Sequence, residues 1–261
     1  MANNGLLYPN NTRDNILHID NLSVSIEDAP VVTDLSLTLQ PGSLHLLMGK
    51  NGSGKSSLAR TIMGDPACTV TAGSLTYNGQ ALRELSADKR ARLGIFLAFQ
   101  NPCILPGVPV FTLLKEAYQA QGNQIGSVQA FKEYVIAQML FLDMDPNFCE
   151  RNVNEGFSGG QKKKLELLQL LVLRPRCIIL DEIDSGLDLD ALKLVTRCIA
   201  ALRADAPSTT IVVITHNPQL LDQLNPDAVH IVTDGKLTHS GTYALLSTLK
   251  DKGYDAFTHN S

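Results

Sequence analysis

The sequence predicts an α/β protein built on a parallel β-sheet, with an antiparallel β subdomain near the N-terminus and an inserted helical subdomain. After residue 160, short apolar runs alternate with helical patterns, which is typical of a parallel sheet covered by helices. Before residue 40, two stretches alternate apolar and polar residues, as half-buried antiparallel strands do. Between these regions three prolines interrupt the chain, and helical patterns follow them.

The composition limits the class of protein. The 261 residues carry 22 basic and 26 acidic side chains, a net charge of −4, and 44% are hydrophobic. Disorder is excluded because it requires low hydrophobicity and high net charge. There is no basic excess for nucleic acid, no secretory signal pattern, and no apolar run of the roughly 18 residues that a membrane span needs. We therefore expect a cytoplasmic protein without a nucleic-acid partner or direct membrane insertion.

The cysteines argue against a metal or disulfide framework, because their number is odd and none forms a CxxC pair. We expect each thiol to be a small buried side chain in a reducing compartment. The five are Cys68, Cys103, Cys149, Cys177 and Cys198.

Apolar periodicity and turn residues predict the individual elements. Predicted strands lie at Leu22–Ile26, Leu35–Leu39, Leu44–Met48, Gly73–Gly79, Ile95–Phe99, Cys177–Leu180, Ile211–Ile214 and Ala228–Val232. Predicted helices lie at Leu58–Met63, Phe111–Gln121, Val128–Leu142, Lys162–Leu173 and Asp188–Arg203. Hairpin turns are expected at Asn78-Gly79 and Asp234-Gly235.

A phosphate-binding loop is the strongest functional motif. Residues 49–56 read GKNGSGKS, which fits G-x-x-x-x-G-K-[ST] between a buried strand and a helix. Glycines allow the backbone to turn its N–H groups onto phosphate oxygens, and the helix N-terminus adds positive charge. Lys55 is expected to reach the β- and γ-phosphates, and the Ser56 hydroxyl is expected to bind Mg²⁺.

Two carboxylates supply the other half of a phosphoryl-transfer site. Asp181 and Glu182 directly follow the apolar run Cys177–Leu180. Asp181 is expected to hold Mg²⁺, directly or through water, and Glu182 to orient or deprotonate the attacking water.

Three further positions fit the same chemistry. The run Phe157–Gln161 precedes a helix, so its Ser158 hydroxyl and glycine N–H groups form a second anion site. Gln100 ends an apolar strand, where its amide could contact Mg²⁺ or the water. His216 ends another strand, where it could donate to a γ-phosphate oxygen. A histidine at a strand end is usually structural, but the order of the motifs favours a functional role here.

With these motifs, the sequence resembles the ATP-binding-cassette (ABC) ATPases over most of its length, from Ile16 to about Gly253. The matching segments are the Walker A loop Gly49–Ser56, the Q-loop at Gln100, the signature Phe157–Gln161, the Walker B residues Asp181–Glu182, the D-loop Ser185–Asp188 and the H-loop at His216. The resemblance implies a RecA-like core and a transient, ATP-dependent homodimer. In that dimer the signature of one cassette faces the Walker A loop of the other.

The resemblance also implies the site residues and the domain division. Catalytic roles fall to Glu182, His216 and Gln100, and Mg²⁺ binding falls to Ser56, Gln100 and Asp181. ATP would be held by Gly49, Lys50, Asn51, Gly52, Ser53, Gly54, Lys55, Ser56 and Ser57, and across the dimer by Ser158, Gly159, Gly160 and Gln161, with Asp188 in the D-loop. A polar tail would occupy residues 1–15, and a single domain would span residues 16–261. Within that domain, the catalytic core with its β subdomain would comprise residues 16–100 and 160–240. Residues 101–159 would form the helical subdomain and signature loop, and residues 241–261 a C-terminal helix and tail.

Within these ATPases the sequence is similar to the SufC branch, the cytosolic ATPases of iron–sulfur cluster assembly. The similarity lies in the runs 94–100, 106–108, 154–164 and 181–193. It implies SufB/SufD-like scaffold proteins as partners, docked around Gln100 to about Leu142. Gln161 and Lys164 depart from the branch, which commonly has Glu and Arg there, and Gln161 is the choice of transport cassettes.

Two other functions remain open at this point. One is the nucleotide-binding subunit of an ABC importer whose membrane subunits are separate chains. The other is a nucleotide-binding scaffold without useful turnover, against which the presence of Glu182 and His216 argues.

A shortage of aromatic residues bears on base recognition. Aromatics make up 5% of the chain, and Trp is absent. Related cassettes commonly stack adenine on an aromatic in the first strands, and the run 22–28 has none. We expect loose base recognition through apolar contacts from Val24, Ile26 or Val31.

Overall fold

The computed structural model describes residues 16–99, 102–183, 188–215, 220 and 223–257. The strands are β1 (Leu17–Ile26), β2 (Ala29–Leu39), β3 (Leu44–Met48), β4 (Thr69–Tyr77), β5 (Gln80–Ala81), β6 (Ile95–Ala98), β7 (Leu105–Pro109), β8 (Asn152–Val153), β9 (Cys177–Asp181), β10 (Thr210–Ile214), β11 (Ala228–Thr233) and β12 (Lys236–Gly241). The helices are α1 (Lys55–Met63), α2 (Ala87–Arg92), α3 (Val110–Ala120), α4 (Val128–Phe141), α5 (Gly159–Leu173), α6 (Leu189–Asp205) and α7 (Ala244–Lys252). None of these helices is both long and apolar enough to cross a bilayer.

An antiparallel sheet in the order β2-β1-β4-β5 forms the N-terminal part. The alternation predicted for the first two strands is confirmed, because Leu22 and Val24 of β1 and Leu35 of β2 point into a shared core. The fourth strand begins at Thr69, four residues before the predicted Gly73, because β4 pairs with β1 from Thr69 onward. The turn at Asn78-Gly79 follows it as predicted.

The central sheet has the order β12-β11-β3-β10-β9-β6, and its pairs are parallel apart from the β11–β12 hairpin. Every residue of β3, β9 and β10 is buried, which explains their continuous apolar runs. In register, Ile214 lies opposite Leu47 on one side and Asp181 on the other. The carboxyl ends of these strands therefore meet at one edge of the sheet, and the predicted α/β class is confirmed.

The helical segment contains the two predicted helices, α3 and α4, which pack on α5. A short antiparallel ribbon precedes α3 and was not predicted from the sequence. In it, Leu105 pairs with Val153 and Pro109 pairs with Asn152. Prolines are tolerated in such a ribbon because its outer edge needs no further hydrogen bonds. The short, charged helix α2 was also missed, since only Arg90 of its residues is buried.

Two buried histidines join β3, β11 and β12 through a chain of hydrogen bonds. His45 Nδ1 and His230 Nε2 are 2.9 Å apart, and their rings stack with centroids 5.2 Å apart. Ser43 Oγ lies 2.6 Å from His45 Nε2 and donates its proton to Gln40 O. His45 therefore donates to Ser43, His230 donates to His45, and Ser240 donates to His230 Nδ1 across 2.8 Å. Both rings are thus neutral in this arrangement.

Candidate functional site

The phosphate loop follows β3 and leads directly into α1, in the predicted order. At Gly54 the backbone has φ +100°, and a Cβ there would lie 2.4 Å from Val31 O. A Cβ on Gly49 would lie 2.2 Å from Val232 O. Any larger residue would therefore displace the neighbouring strands, so both glycines are required by the path of the loop.

Lys55 lies within the loop and is 5% exposed. Its Nζ donates to Gly49 O and Lys50 O, each at 2.9 Å, and to Ser53 Oγ at 3.1 Å. Burial lowers the Lys55 pKa, while the nearby charges of Glu182 and Asp181 act in the opposite direction. No side chain caps the first turn of α1, so its N–H groups face the loop interior as donors for an anion.

Ser56 and Asp181 meet beside this loop. The Ser56 hydroxyl donates to Asp181 Oδ1 across 3.0 Å. Asp181 is 6% exposed, and burial is the main cause that raises its pKa. A hydroxyl and a buried carboxylate in contact are oxygen donors of the kind that Mg²⁺ prefers, so these two residues fit the metal predicted here.

Glu182 follows the end of β9 in a strained backbone conformation. Its φ is +49°, and its N–H donates to Ile214 O across 3.0 Å. The side chain is half-buried and close enough to affect Lys55 electrostatically. Non-glycine residues with such backbone angles concentrate at functional sites.

Four neighbouring strands of the sheet end beside this site. Gln100 and His216, predicted at the ends of two of them, lie outside the described residues, as do residues 184–187 of the predicted D-loop. Asp188 is described and caps α6, where its carboxylate accepts from Ala191 N across 2.8 Å.

Ser158 caps the helix that the signature segment begins. Helix α5 starts at Gly159, three residues earlier than predicted. Ser158 Oγ accepts from Gln161 N at 3.3 Å, and Gln161 Oε1 accepts from Ser158 N at 2.9 Å. Glutamate can form the same reciprocal cap, so Gln161 has the same local role as the Glu expected there. The Ser158 oxygen is the acceptor in this cap, so its hydroxyl proton can be donated to another group. No described atom would lie within 4 Å of a Cβ on Gly159 or Gly160.

Aromatic packing holds the signature segment in place. Phe157 is 7% exposed and contacts Phe148 edge-on, with ring centroids 4.8 Å apart. The Arg151 guanidinium lies over both rings, at 4.4 and 4.6 Å from their centroids. Ser158 is therefore presented from a fixed base rather than from a free loop.

A model of the ABC transporter family matches residues 32–185, which span the phosphate loop, the signature segment and the paired carboxylates. This chain belongs to the ABC transporter ATPase family. It is an ABC-type ATPase, and the antiparallel sheet beside a parallel core is the arrangement of the ABC cassette.

Close relatives of this cassette cover nearly its full length. It is 42% identical to a probable ATP-dependent transporter, slr0075, of Synechocystis over 92% of this chain and 94% of that protein. It is 41% identical to a probable ATP-dependent transporter, ycf16, of Guillardia theta over 92% and 96%. Vegetative protein 296 of Bacillus subtilis is 42% identical over 92% of each chain.

Solved structures share the fold. The ATP-binding subunit of an ABC transporter superposes with a TM-score of 0.79 at 21% identity, covering 94% of this chain and 100% of that one. A dimeric bacterial ABC transporter cassette superposes with a TM-score of 0.73 at 17% identity, covering 87% and 98%.

An apolar groove lies between the cassette's sheet and its helical segment. It encloses about 460 Å³, and Phe96, Phe99, Leu105 and Leu113 contribute to its walls. Phe99 is 45% exposed and Leu105 is 38% exposed, although both are large apolar side chains. The groove includes Phe99 and Pro102, within the region predicted to receive a partner.

Two charged residues of α5 connect this groove to the site, and the sequence analysis missed them. Glu166 is 4% exposed in the groove wall, and its Oε2 lies 3.4 Å from Lys163 Nζ. Burial raises the Glu166 pKa to about 7, against the opposing charge of Lys163. Lys163 also influences Asp181 electrostatically. Their i, i+3 spacing, which brings a basic and an acidic side chain together on one face of the helix, is the signal that could have revealed the pair.

The predicted base contacts require one correction. Val24 is 1% exposed and belongs to the core of the antiparallel sheet, so the expectation that it could contact a base was wrong. Ile26 and Val31 remain half-buried and accessible. Tyr254, which follows α7, forms a hydrogen bond with the Gly49 backbone, and burial raises its pKa. The sequence analysis missed this aromatic because it lies about 200 residues from the loop along the chain.

The cysteine prediction holds for three of the five residues. Cys149, Cys177 and Cys198 are buried, whereas Cys68 is partly exposed and Cys103 is exposed. Cys103 was therefore wrongly expected to be buried, since it lies in the groove wall between Pro102 and Leu105. Among the described residues, no group of three or more His, Cys, Asp or Glu side chains is arranged to hold a metal ion.

Proposed function

We propose that the cassette binds Mg²⁺–ATP with its triphosphate along the loop at residues 49–57 and hydrolyses it with Glu182 as the base. The Ser56–Asp181 contact supports this proposal, because two of the three predicted metal ligands meet in it, near Lys55. Lys55 would exchange its carbonyl partners for phosphate oxygens. Bound Mg²⁺ would neutralise charge on the β- and γ-phosphate oxygens. Gln100 and His216 complete the proposed set from the neighbouring strand ends.

The catalytic site is proposed to be completed by a second copy of the cassette. Ser158 is exposed, and no described residue takes its hydroxyl proton or the N–H groups of Gly159 and Gly160, so these three residues form a donor surface. That surface suits the γ-phosphate of an ATP bound to another subunit, with Asp188 near the contact. We expect a transient dimer, stabilised only while ATP bridges the two copies.

We further propose that ATP-driven dimerisation acts on a SufB/SufD-like scaffold for iron–sulfur cluster assembly in the cytoplasm. The groove beside Phe99 supports a separate partner, because a large apolar surface is exposed next to the nucleotide site. The resemblance of the signature and Walker B runs to the SufC branch favours a scaffold as that partner. Closure of the dimer would pull on the docked scaffold through α3 and α4.

The second candidate is the ATPase subunit of an importer with separate membrane subunits. This function is favoured by the names of two relatives, both of which are called probable ATP-dependent transporters. The same groove would then receive a membrane subunit, so the groove alone does not decide between the two functions.

Co-expression tests the proposed partner. The tagged cassette is produced with SufB/SufD-like scaffold proteins and purified without detergent, and a stoichiometric complex is expected. Phe99→Ser should weaken that complex, whereas Tyr243→Ser should not, since Tyr243 is 42% exposed just before α7, outside the groove and outside the predicted docking segment. A complex that forms only with membrane subunits in detergent would favour the importer instead.

A further inference from the structure

A second, polar cavity lies at the opposite edge of the central sheet from the phosphate loop. It encloses about 360 Å³ and is built from the segments that immediately precede β6, β9 and β10. In a parallel sheet these segments meet at the amino ends of the strands. The cavity is therefore separated from the nucleotide site by the length of the strands, about 15 Å.

Positive charge is concentrated in this cavity. Arg92, Arg174 and Arg176 line it, and Asp205 is the one acidic residue among the described residues of its wall, which leaves two positive charges there. The whole chain, in contrast, carries a net charge of −4. We call this site the arginine cavity.

Arg176 has unused hydrogen-bonding capacity. Its backbone is fixed on both sides, since its N–H donates to Gly94 O at 2.8 Å and its carbonyl accepts from Thr210 N at 2.9 Å. Its half-buried guanidinium makes no hydrogen bond or ion pair within the part of the chain that the structure describes. A partly buried guanidinium with five donors requires water or an anion to satisfy them.

Gly94 makes room for this side chain. A Cβ at Gly94 would lie 3.1 Å from Arg176 Cγ, and the backbone there has φ +92°. The Arg176 side chain therefore lies across the Gly94 backbone.

The other two arginines each lie near a carboxylate. Arg174 Nη2 is 3.0 Å from Asp205 Oδ2, and Arg92 is loosely paired with Asp88, at 3.7 Å. Asn123, which is 9% exposed in the cavity wall, adds an amide that contacts Gln121 at 3.5 Å. The wall is thus rich in donors and poor in acceptors, which suits an oxyanion.

We propose that the arginine cavity, which adjoins the partner groove at Arg92, Gln121 and Leu173, binds a small phosphate-bearing anion distinct from ATP. Guanidinium groups bind phosphate through paired N–H···O bonds, and a dianion matches the two excess positive charges. The volume leaves space for a small ester group on the phosphate. This site goes beyond the proposed ATPase function and does not depend on it.

Calorimetry with inorganic phosphate tests the proposal directly. The phosphate loop is first saturated with Mg²⁺ and a non-hydrolysable ATP analogue, so that added phosphate cannot bind there. Wild-type protein is expected to bind one phosphate, and Arg176→Gln and Arg174→Gln should each weaken binding by about tenfold or more. Arg83→Gln, which alters an exposed arginine outside the cavity, should bind as wild type.

ATP hydrolysis by each variant serves as the check of folding and should be unchanged. Equal phosphate binding by wild type and Arg176→Gln would overturn the proposal, as would no binding by wild type. A parallel titration with succinate identifies the chemical class. Binding of succinate without binding of phosphate would show that the cavity takes a dicarboxylate, and would likewise overturn it.

Discussion

The Ser56 hydroxyl donates to Asp181 Oδ1 across 3.0 Å, although the two residues are 125 positions apart in the chain. Ser56 is fixed by the first turn of α1, and Asp181 by its place at the end of β9 between two parallel neighbours. The two motifs therefore meet through the sheet topology, and their contact does not require a nucleotide. A metal ion entering this position would displace one hydrogen bond and meet the two residues proposed as its ligands.

Ser56→Ala should weaken ATP binding in the presence of Mg²⁺ and have little effect without it. The variant removes an oxygen proposed to bind the metal but leaves Lys55 and the backbone donors of the loop intact. Calorimetry with and without EDTA measures both affinities. Ser86→Ala, which removes a similar serine–aspartate contact at α2, serves as the matched control. An equal loss of affinity in both conditions would count against the metal role.

Glu182→Gln should bind ATP normally and lose about 10²–10⁴-fold in turnover, because an amide cannot accept the proton of the attacking water. Its backbone hydrogen bond to Ile214 does not involve the side chain, so the strained turn should persist. Steady-state phosphate release and equilibrium ATP binding separate the two effects. Glu84→Gln, at an exposed position, should retain both. Wild-type turnover by Glu182→Gln would exclude it as the base.

The protein should lose stability as the pH falls from about 6.5 towards 4, through its buried histidine pair. Burial lowers the pKa of His45 and of His230 to about 4, with Asp227 opposing this at His45. The unfolded chain then binds more protons in this window, so the stability is complete above pH 6.5 and is lost below it. The effect is on the order of 3 kcal/mol per histidine.

Urea unfolding at several pH values measures this loss. His18→Gln, which changes an exposed histidine, should keep the wild-type dependence on pH. If the midpoint is flat between pH 6.5 and 5 in wild type, the buried neutral pair is contradicted.

GTP should compete with ATP more effectively than it does in a cassette with a stacking aromatic. Of the predicted base contacts, Ile26 and Val31 are accessible, and the Val31 carbonyl closely approaches Gly54 of the loop. Val31→Tyr should therefore improve ATP binding by about 1 kcal/mol or more through stacking on adenine. Competition binding with both nucleotides provides the measurement. Strict preference of the wild type for ATP would refute the expectation.

The sequence was sufficient to predict elements with a regular or continuous apolar pattern and the motifs that follow them. Continuous apolar runs identified β3, β9 and β10, and the residues after those strands identified the phosphate loop and Asp181. The charged helix α2 and the proline-containing ribbon of β7 and β8 lack such patterns, because they are defined by pairing and packing with distant segments.

For the same reason, the sequence did not predict side chains whose burial or contacts depend on tertiary packing. Glu166 is buried only because α3 and α5 enclose the groove, and Tyr254 reaches Gly49 only because the C-terminal segment folds back. Val24 shows the converse error. Its position in β1 favoured exposure beside a base, but the pleat of the strand turns it into the core.

The two-copy catalytic site is tested most directly by mixing two inactive variants. Lys55→Ala lacks the cation of its own phosphate loop, and Gly160→Glu directs a carboxylate at the γ-phosphate of the other copy. Gly160 has open space before it and an ordinary backbone conformation, so the variant should fold. Each variant alone should be inactive, and the mixture should regain hydrolysis that rises with protein concentration. A mixture as inactive as its components, or wild-type turnover by Gly160→Glu alone, would contradict the account.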